Sequence, residues 1–377
     1  MKNREVGMRT LIRASLAIAL TVCPQFLHCQ TASNQALAKS TVVTLTTAAA
    51  PAKPATESPS HLVLTKTISL DAVTTTFMGE PKCDSDGSFY LRNADRGLTI
   101  SKFNSKGETV ATFKANSSPD VPQVDGAGMF TVDPYGNVNQ LVIPHSYDRD
   151  VFFYSKDGSY KSNVKLDVGG PWSPSLFVTL SAGNFMATGQ KWDRTAKEYV
   201  PFTGIFSSDG TLLKELHLED DEYIHESAAR GDSRFVPGPI SGGLNYAISR
   251  GKMELGEDGN VYLLRWVDPA IIYAISPGGE IQKRFTVDPG DQDFTVGGML
   301  VSGSRIAVLF HKQEGNAKGV EQQLIRIVDL DGNKVASYET TKAVGITLAC
   351  YSRNPEQFTF LGWTKDERPV LNITEPQ

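Results

Sequence analysis

Six short β-rich runs in the chain end on or beside a cationic or titratable nitrogen. The runs read FYLRN, QLVIPH, MATGQK, VYLLRW, AVLFHK and FLGWTK, and the nitrogens belong to Arg92, His145, Lys191, Arg265, His311 and Lys365. Indole rings accompany three of them, at Trp192, Trp266 and Trp363. Cations bind anionic groups and indole rings stack on sugars. We therefore predict an anion- or carbohydrate-binding ring, here called the strand-two ring, with its centre at Arg92, His145, Lys191, Arg265 and His311 and with Trp266 as a stacking plate.

A structural interpretation of the same residues stands beside the functional one. Strand ends are often polar because they meet water. Four of the loops that follow these runs also place an arginine just after an aspartate, at Asp95-Arg96, Asp148-Arg149, Asp193-Arg194 and Asp366-x-Arg368. Such pairs serve as turn residues and framework salt bridges in repeat proteins. The sequence alone leaves both interpretations open.

The runs belong to a repeated unit with two turns. Met253–Val287 contains four runs rich in Val, Ile, Tyr and Phe. The turn signal EDGN lies between the first two runs and SPGG between the last two, which indicates four antiparallel strands. The first-turn glycine, Gly259, has counterparts at 44- to 51-residue intervals, apart from one interval of 76, at Gly87, Gly136, Gly183, Gly303 and, without glycine, Asn354. The second-turn glycine recurs at Gly107, Gly158, Gly210, Gly279 and Gly332.

This period predicts an all-β fold, a six-bladed β-propeller. A single four-stranded unit cannot bury both of its faces, whereas radially arranged copies bury them against each other. The last unit lacks a fourth strand because the chain ends. The alternating segment His61–Leu70 precedes the first unit, and we expect it to pair beside Val370–Thr374 and close the last blade.

Two of the units carry a family resemblance. MELGEDGNVYLLRW and FTVDPYGNVNQLV resemble the NHL-type repeat of the TolB-like six-bladed propeller superfamily, and the resemblance extends over roughly residues 61–377. It implies a six-bladed propeller. It says little about activity, because such propellers include protein-binding modules, sugar-recognising domains, lactonases and lyases.

A shorter resemblance concerns a metal. Gly79-Glu80-Pro81 is similar to the Gly-Glu-x-Pro stretch of calcium-dependent six-bladed lactonases, which implies Glu80 as a calcium ligand. The later Asn-Gly and Pro-Asp-Gly ligand motifs of that family have no counterparts at Val124–Met129, Ser175–Phe177 or Val296–Met299, so the oxygen donors that calcium requires are incomplete. We expect no cofactor, with calcium at Glu80 as the alternative.

Cys83 and Cys350 are the two cysteines outside the N-terminal segment. Each falls near the end of a first strand, in the first and last units, which become neighbours when the ring closes. A disulfide there would clamp the seam in an oxidising compartment. The alternative is two buried small hydrophobic side chains.

The termini and the long interval define the predicted domains. Residues 1–30 carry basic residues ahead of the short apolar run Ala14–Cys23, which predicts a signal peptide. Residues 31–60, rich in Ala, Thr and Pro, predict a disordered linker, and residues 61–377 the propeller. Residues 218–252 are an insertion between blades three and four, either a lid or metal loop or a solvated excursion.

These observations predict an exported protein, periplasmic or extracellular, without a membrane span and monomeric. A net charge of −5 gives no signature of nucleic-acid binding. We expect a non-enzymatic binding or interaction module whose partner is a small anion, a glycan or a protein. The alternative is a metal-dependent, lactonase-like hydrolase or a lyase that uses Glu80, His145 and His311 at the channel.

Overall fold

Strands dominate the part of the chain that the structure describes. The computed structural model describes residues 58–71, 81–119, 121, 123–145, 148–230, 243–267, 269–290, 293–313, 320–340, 344–345 and 347–377. The predicted signal peptide and most of the predicted linker lie outside these ranges. Among the helices within them, none is long and apolar enough to cross a membrane.

Four of the sheets in the described residues have four antiparallel strands each, in chain order. The first sheet contains β2 (Lys82–Cys83), β3 (Phe89–Arg92), β4 (Thr99–Phe103) and β5 (Thr109–Lys114). The second contains β6 (Gly126–Val132), β7 (Val138–Ile143), β8 (Asp150–Tyr154) and β9 (Tyr160–Lys165). The third contains β10 (Trp172–Thr179), β11 (Phe185–Asp193), β12 (Glu198–Phe206) and β13 (Leu212–Leu216). The fourth contains β14 (Lys252–Leu255), β15 (Val261–Arg265), β16 (Ala270–Ile275) and β17 (Ile281–Val287).

A larger sheet joins the two ends of the described chain. One half contains β18 (Phe294–Ser302), β19 (Arg305–Gln313), β20 (Val320–Asp329) and β21 (Lys334–Glu339). The other half contains β22 (Thr347–Arg353), β23 (Glu356–Trp363), β24 (Pro369–Pro376) and the N-terminal β1 (Ser60–Ser69). β1 runs antiparallel to β24 from Ser69 opposite Val370 to Leu62 opposite Pro376, where the sequence places it. Two residue pairs between β1 and β21 connect the halves.

The first strands of these units form a closed ring. β2, β6, β10, β14, β18 and β22, here called the inner strands, contact one another in this order, and β22 contacts β2. Separate hydrophobic clusters fill the spaces between neighbouring sheets, for example Tyr90, Phe113, Phe130 and Phe152 between the first and second. The fold is therefore an all-β propeller, in which each sheet buries its faces against its neighbours.

The repeated turns explain the sequence signature. The turn glycines identified from the sequence all have positive φ, for example Gly87 at 74° and Gly259 at 81°, a backbone conformation that costs glycine little. In the first turn, the Asp84 carboxylate accepts hydrogen bonds from the backbone N–H of Ser88 at 2.8 Å and from the hydroxyl of Tyr90 at 2.8 Å. An aspartate, a glycine and a later tyrosine thus together fix the first turn of the first sheet.

The described part of the insertion is helical and packed. It contains α1 (Asp221–Arg230) and α2 (Gly243–Ser249), which contact each other and the third sheet. Ile224, Leu244 and Ile248 are buried in the hydrophobic cluster that the third and fourth sheets share. Apolar side chains therefore fasten these helices to the propeller, and the interpretation of this segment as a solvated excursion is wrong for its described part.

Candidate functional site

Arg265 of the strand-two ring is buried in an ion-pair network. Its side chain is 3% exposed; Nε lies 2.9 Å from Asp220 Oδ2, and a terminal nitrogen lies 2.6 Å from Asp221 Oδ1. The Tyr273 hydroxyl donates a further bond of 2.7 Å to Asp220. The acidic residues at the start of the insertion thus neutralise Arg265 and tie the insertion to the fourth sheet.

Three other members of the ring also have partners. Arg92 is buried and donates a bond of 2.8 Å to the carbonyl oxygen of Ala127 in the second sheet; burial lowers its pKa to about 10. Lys191 pairs with Glu215 at 2.5 Å. The exposed His145 lies 3.8 Å from Asp125. Ligand binding by these residues stays a prediction, but each of them already has a described partner.

Trp266 and His311 come together where the fourth sheet meets β18. The Trp266 indole N–H donates to the carbonyl oxygen of Val296 at 3.2 Å. A Cβ atom on the next residue, Gly297, would lie 2.6–2.8 Å from three ring atoms of His311, so the imidazole rests on glycine backbone. The guanidinium of Arg250 lies 4.8 Å from the Trp266 ring centroid.

His311 is a buried, neutral imidazole. Its Nε2 has no hydrogen-bond partner. Burial, followed by the charges of Arg250 and Lys252, lowers its pKa to about 4, so the ring is uncharged at neutral pH. Trp266 and His311, two members of the predicted ring, thus meet around the backbone of Val296 and Gly297.

Glu80, the calcium candidate, lies outside the described residues. Among those described, no group of three or more His, Cys, Asp or Glu side chains is arranged to hold a metal ion. Cys83 and Cys350 are joined by a disulfide, with their Cα atoms 5.8 Å apart. This bond links the inner strands β2 and β22 and so joins the first and last sheets of the ring.

A large cavity among the described residues lies at the other end of the inner strands. It has a volume of about 750 Å³ and is lined by the ends of β2, β6, β10 and β14 and by the turn and strand residues beside β6. Because second strands run antiparallel to first strands, this end is opposite the strand-two ring. We call it the channel cavity, and its polar and ionisable lining residues are Lys82, Thr131, Asp133, Tyr135, Asn137, Asn139, Tyr154, Ser155, Lys161, Thr179, Ser181 and Glu254.

An ion pair crosses the channel cavity. Lys82 Nζ on β2 lies 2.5 Å from Glu254 Oε1 on β14, and the two side chains are 12% and 19% exposed. In the ring of inner strands β2 and β14 are not neighbours, so the pair connects opposite sides of the channel. Since both groups are largely withdrawn from water, their attraction is much less screened than that of a surface pair.

Hydroxyl and amide groups line the adjoining wall. The hydroxyls of Thr131 and Thr179 lie 3.1 Å apart, and the Asn139 side-chain amide donates to Thr179 at 3.1 Å. Tyr154 also contributes to the wall; its buried hydroxyl has no hydrogen-bond partner, and burial raises its pKa above its usual range.

Sequence reasoning missed this cavity because its residues are recognisable only as turns. Asp133-Pro134-Tyr135-Gly136-Asn137 has the composition of a turn between first and second strands. Lys82 and Glu254 are 172 positions apart, and no local pattern links them. The sequence does contain a weaker signal for this cavity. First strands end in polar or charged residues, whereas the strands beside them are apolar.

Comparisons with known proteins concern the fold alone. No protein-family model matches the chain, and no curated protein matches it. Among solved structures, it is similar to a catalytically inactive virginiamycin B lyase variant from Staphylococcus aureus, with 14% identity, a TM-score of 0.45 and coverage of 81% of this chain and 82% of that one. It is also similar to the Neurospora crassa Pan2 WD40 domain, with 11% identity, a TM-score of 0.45 and coverage of 85% and 97%. A protein of unknown function from Bacteroides caccae gives 12% identity, a TM-score of 0.43 and coverage of 75% and 94%.

Proposed function

We propose that the chain is an exported, non-enzymatic binding module built on a six-bladed propeller, in which the channel cavity holds a small ligand. The observation that carries the proposal is the cavity of about 750 Å³ between the inner strands. Small-molecule sites are concave, largely preformed and of this size range. Each wall strand is hydrogen-bonded in its sheet, so the site is rigid before a ligand arrives.

The count of six rests on two features. The closed ring has the six inner strands as members, and β1 lies beside β24 as the outermost strand of the last unit. We interpret the eight-stranded sheet as two blades, because only two residue pairs connect its halves. The Cys83–Cys350 disulfide supports export, since such bonds persist in oxidising compartments.

Blocking the cavity mouth tests the binding function. Ser181 is exposed and lines the cavity, so Ser181→Trp fills the entrance without disturbing the core. Ser105 is an exposed turn residue of the first sheet that does not line it, and Ser105→Trp is the matched control. The screen measures Tm with neutral sugars, citrate, free amino acids and short peptides, because a compound that binds the folded state raises Tm.

We expect at least one class to raise the Tm of the wild type and of Ser105→Trp but not that of Ser181→Trp. NMR of the incubated compound should show it unchanged. Equal Tm shifts in both variants, or none in the wild type, would contradict the proposed cavity function. Turnover of the compound would instead support the enzymatic alternative.

A further inference from the structure

The channel cavity is electrically balanced. Two of its lining residues are cationic and two anionic. Lys82 and Glu254 neutralise each other at 2.5 Å. The Asp133 carboxylate accepts hydrogen bonds from the backbone N–H groups of Tyr135 at 2.8 Å and Asn137 at 2.9 Å, and Lys161 is exposed at the rim. A charged ligand would lose its hydration without gaining a counter-charge, which disfavours both anions and cations.

The wall nevertheless offers hydrogen bonds to a polar ligand. The hydroxyls of Thr131 and Thr179, the amide of Asn139 and the ion pair all point to a partner with both donors and acceptors. Beyond the bonds that they make to one another, the two hydroxyls and the amide keep further donor and acceptor positions, which a ligand with hydroxyl groups can use. An apolar ligand would strip water from these groups and leave their remaining donor and acceptor positions unused.

Apolar surface alternates with these polar groups. Val132, Val178, Met253 and Leu255 line the cavity, as does Phe153. Tyr135, which is 81% exposed, extends from the same lining. The C–H face of a sugar ring packs on aromatic and aliphatic side chains while its hydroxyls donate and accept hydrogen bonds at the edge.

We infer that the channel cavity binds a neutral polyhydroxylated molecule, a sugar or polyol. The inference rests on the proposed binding function and assigns the ligand's chemical class. It also moves the carbohydrate site from the strand-two ring to the opposite end of the inner strands.

Titration calorimetry with three matched ring compounds tests this class. Glucose is neutral and polyhydroxylated, glucuronate adds one carboxylate, and cyclohexanol keeps the ring but has one hydroxyl. We expect the wild type to bind glucose at least about tenfold more tightly than either of the others, with a Kd below about 1 mM. Absence of glucose binding, or tighter binding of glucuronate or cyclohexanol, would overturn the inference.

A charge variant tests the reason for the preference. Glu254→Gln keeps the shape of the side chain but leaves the Lys82 cation uncompensated, so the ratio of glucuronate to glucose affinity should rise by about tenfold. Glu280→Gln removes the same charge from an exposed turn of the same sheet and should leave the ratio unchanged. An unchanged ratio in Glu254→Gln contradicts the charge argument. If that variant does not fold, the wild-type comparison decides the matter.

The two proposals fail differently. If Ser181→Trp abolishes binding of glucuronate or cyclohexanol while glucose never binds, the cavity is a ligand site and only the class is wrong. If Ser181→Trp and Ser105→Trp bind glucose equally, the sugar binds elsewhere, and both the cavity function and this inference are wrong.

Discussion

Replacing Arg265 should cost the propeller a large part of its stability. Arg265→Met keeps the length of the side chain and removes the cation. The Asp220 carboxylate, which is 5% exposed, then stays buried without its counter-charge, and of its described side-chain partners only the Tyr273 hydroxyl still donates to it. Breaking a buried ion pair by removing one partner costs about 3–5 kcal/mol. For the propeller of residues 61–377, with an unfolding entropy of about 2.1 cal/mol/K per residue, this corresponds to a loss in Tm of about 5–8 °C.

The assay is thermal unfolding followed by circular dichroism, with a matched control and a rescue. Lys191→Met breaks the pair with Glu215, in which each side chain is more than a quarter exposed, and should cost about 1 kcal/mol or less. Adding Asp220→Asn to Arg265→Met removes the orphaned charge and should recover part of the loss. If Arg265→Met melts within about 1 °C of the wild type, the ion pair is not structural and the argument from burial is wrong.

Three further changes have defined outcomes. Cys83→Ala with Cys350→Ala should lower the free energy of unfolding by about 2–5 kcal/mol in urea titrations, and an unchanged midpoint would show that the seam needs no disulfide. The pKa of His311 falls from 6.5 to about 4 on folding, so the folded state binds fewer protons than the unfolded state between these pH values. The free energy of unfolding should therefore drop by about 3 kcal/mol from pH 7 to pH 4, and His311→Gln should reduce this dependence on pH. Deleting residues 58–70 should expose the edge of β24, lower Tm and promote association in size-exclusion chromatography, whereas a monomer of unchanged Tm would contradict closure by β1.

The architecture was accessible from the sequence because its signals are local. Each turn glycine lies within a few residues of the strands that it connects, and Asp84 fixes its turn through Ser88 and Tyr90. The pairing of β1 with β24 was also predictable, since the last unit lacks a strand and the first is preceded by an extra one. Because the unit repeats, comparing its copies shows which segments are strands and which are turns, and a single unit would leave this open.

The candidate site was less accessible because its contacts are not local. The sequence shows Arg265 at a strand end, but its burial depends on Asp220, which comes from the insertion. The pairing of Lys82 with Glu254 exists only once the ring has closed. A cation at a strand end therefore predicts a position in the fold, and its availability to a ligand is decided by distant residues.

A crystal structure of the protein soaked with glucose tests the central claim most directly, because it shows which end of the inner strands holds the sugar. The account predicts sugar density in the channel cavity, within hydrogen-bond distance of the Lys82–Glu254 pair and of Asn139. Density at Trp266 and His311, with the channel cavity holding only water, would contradict it.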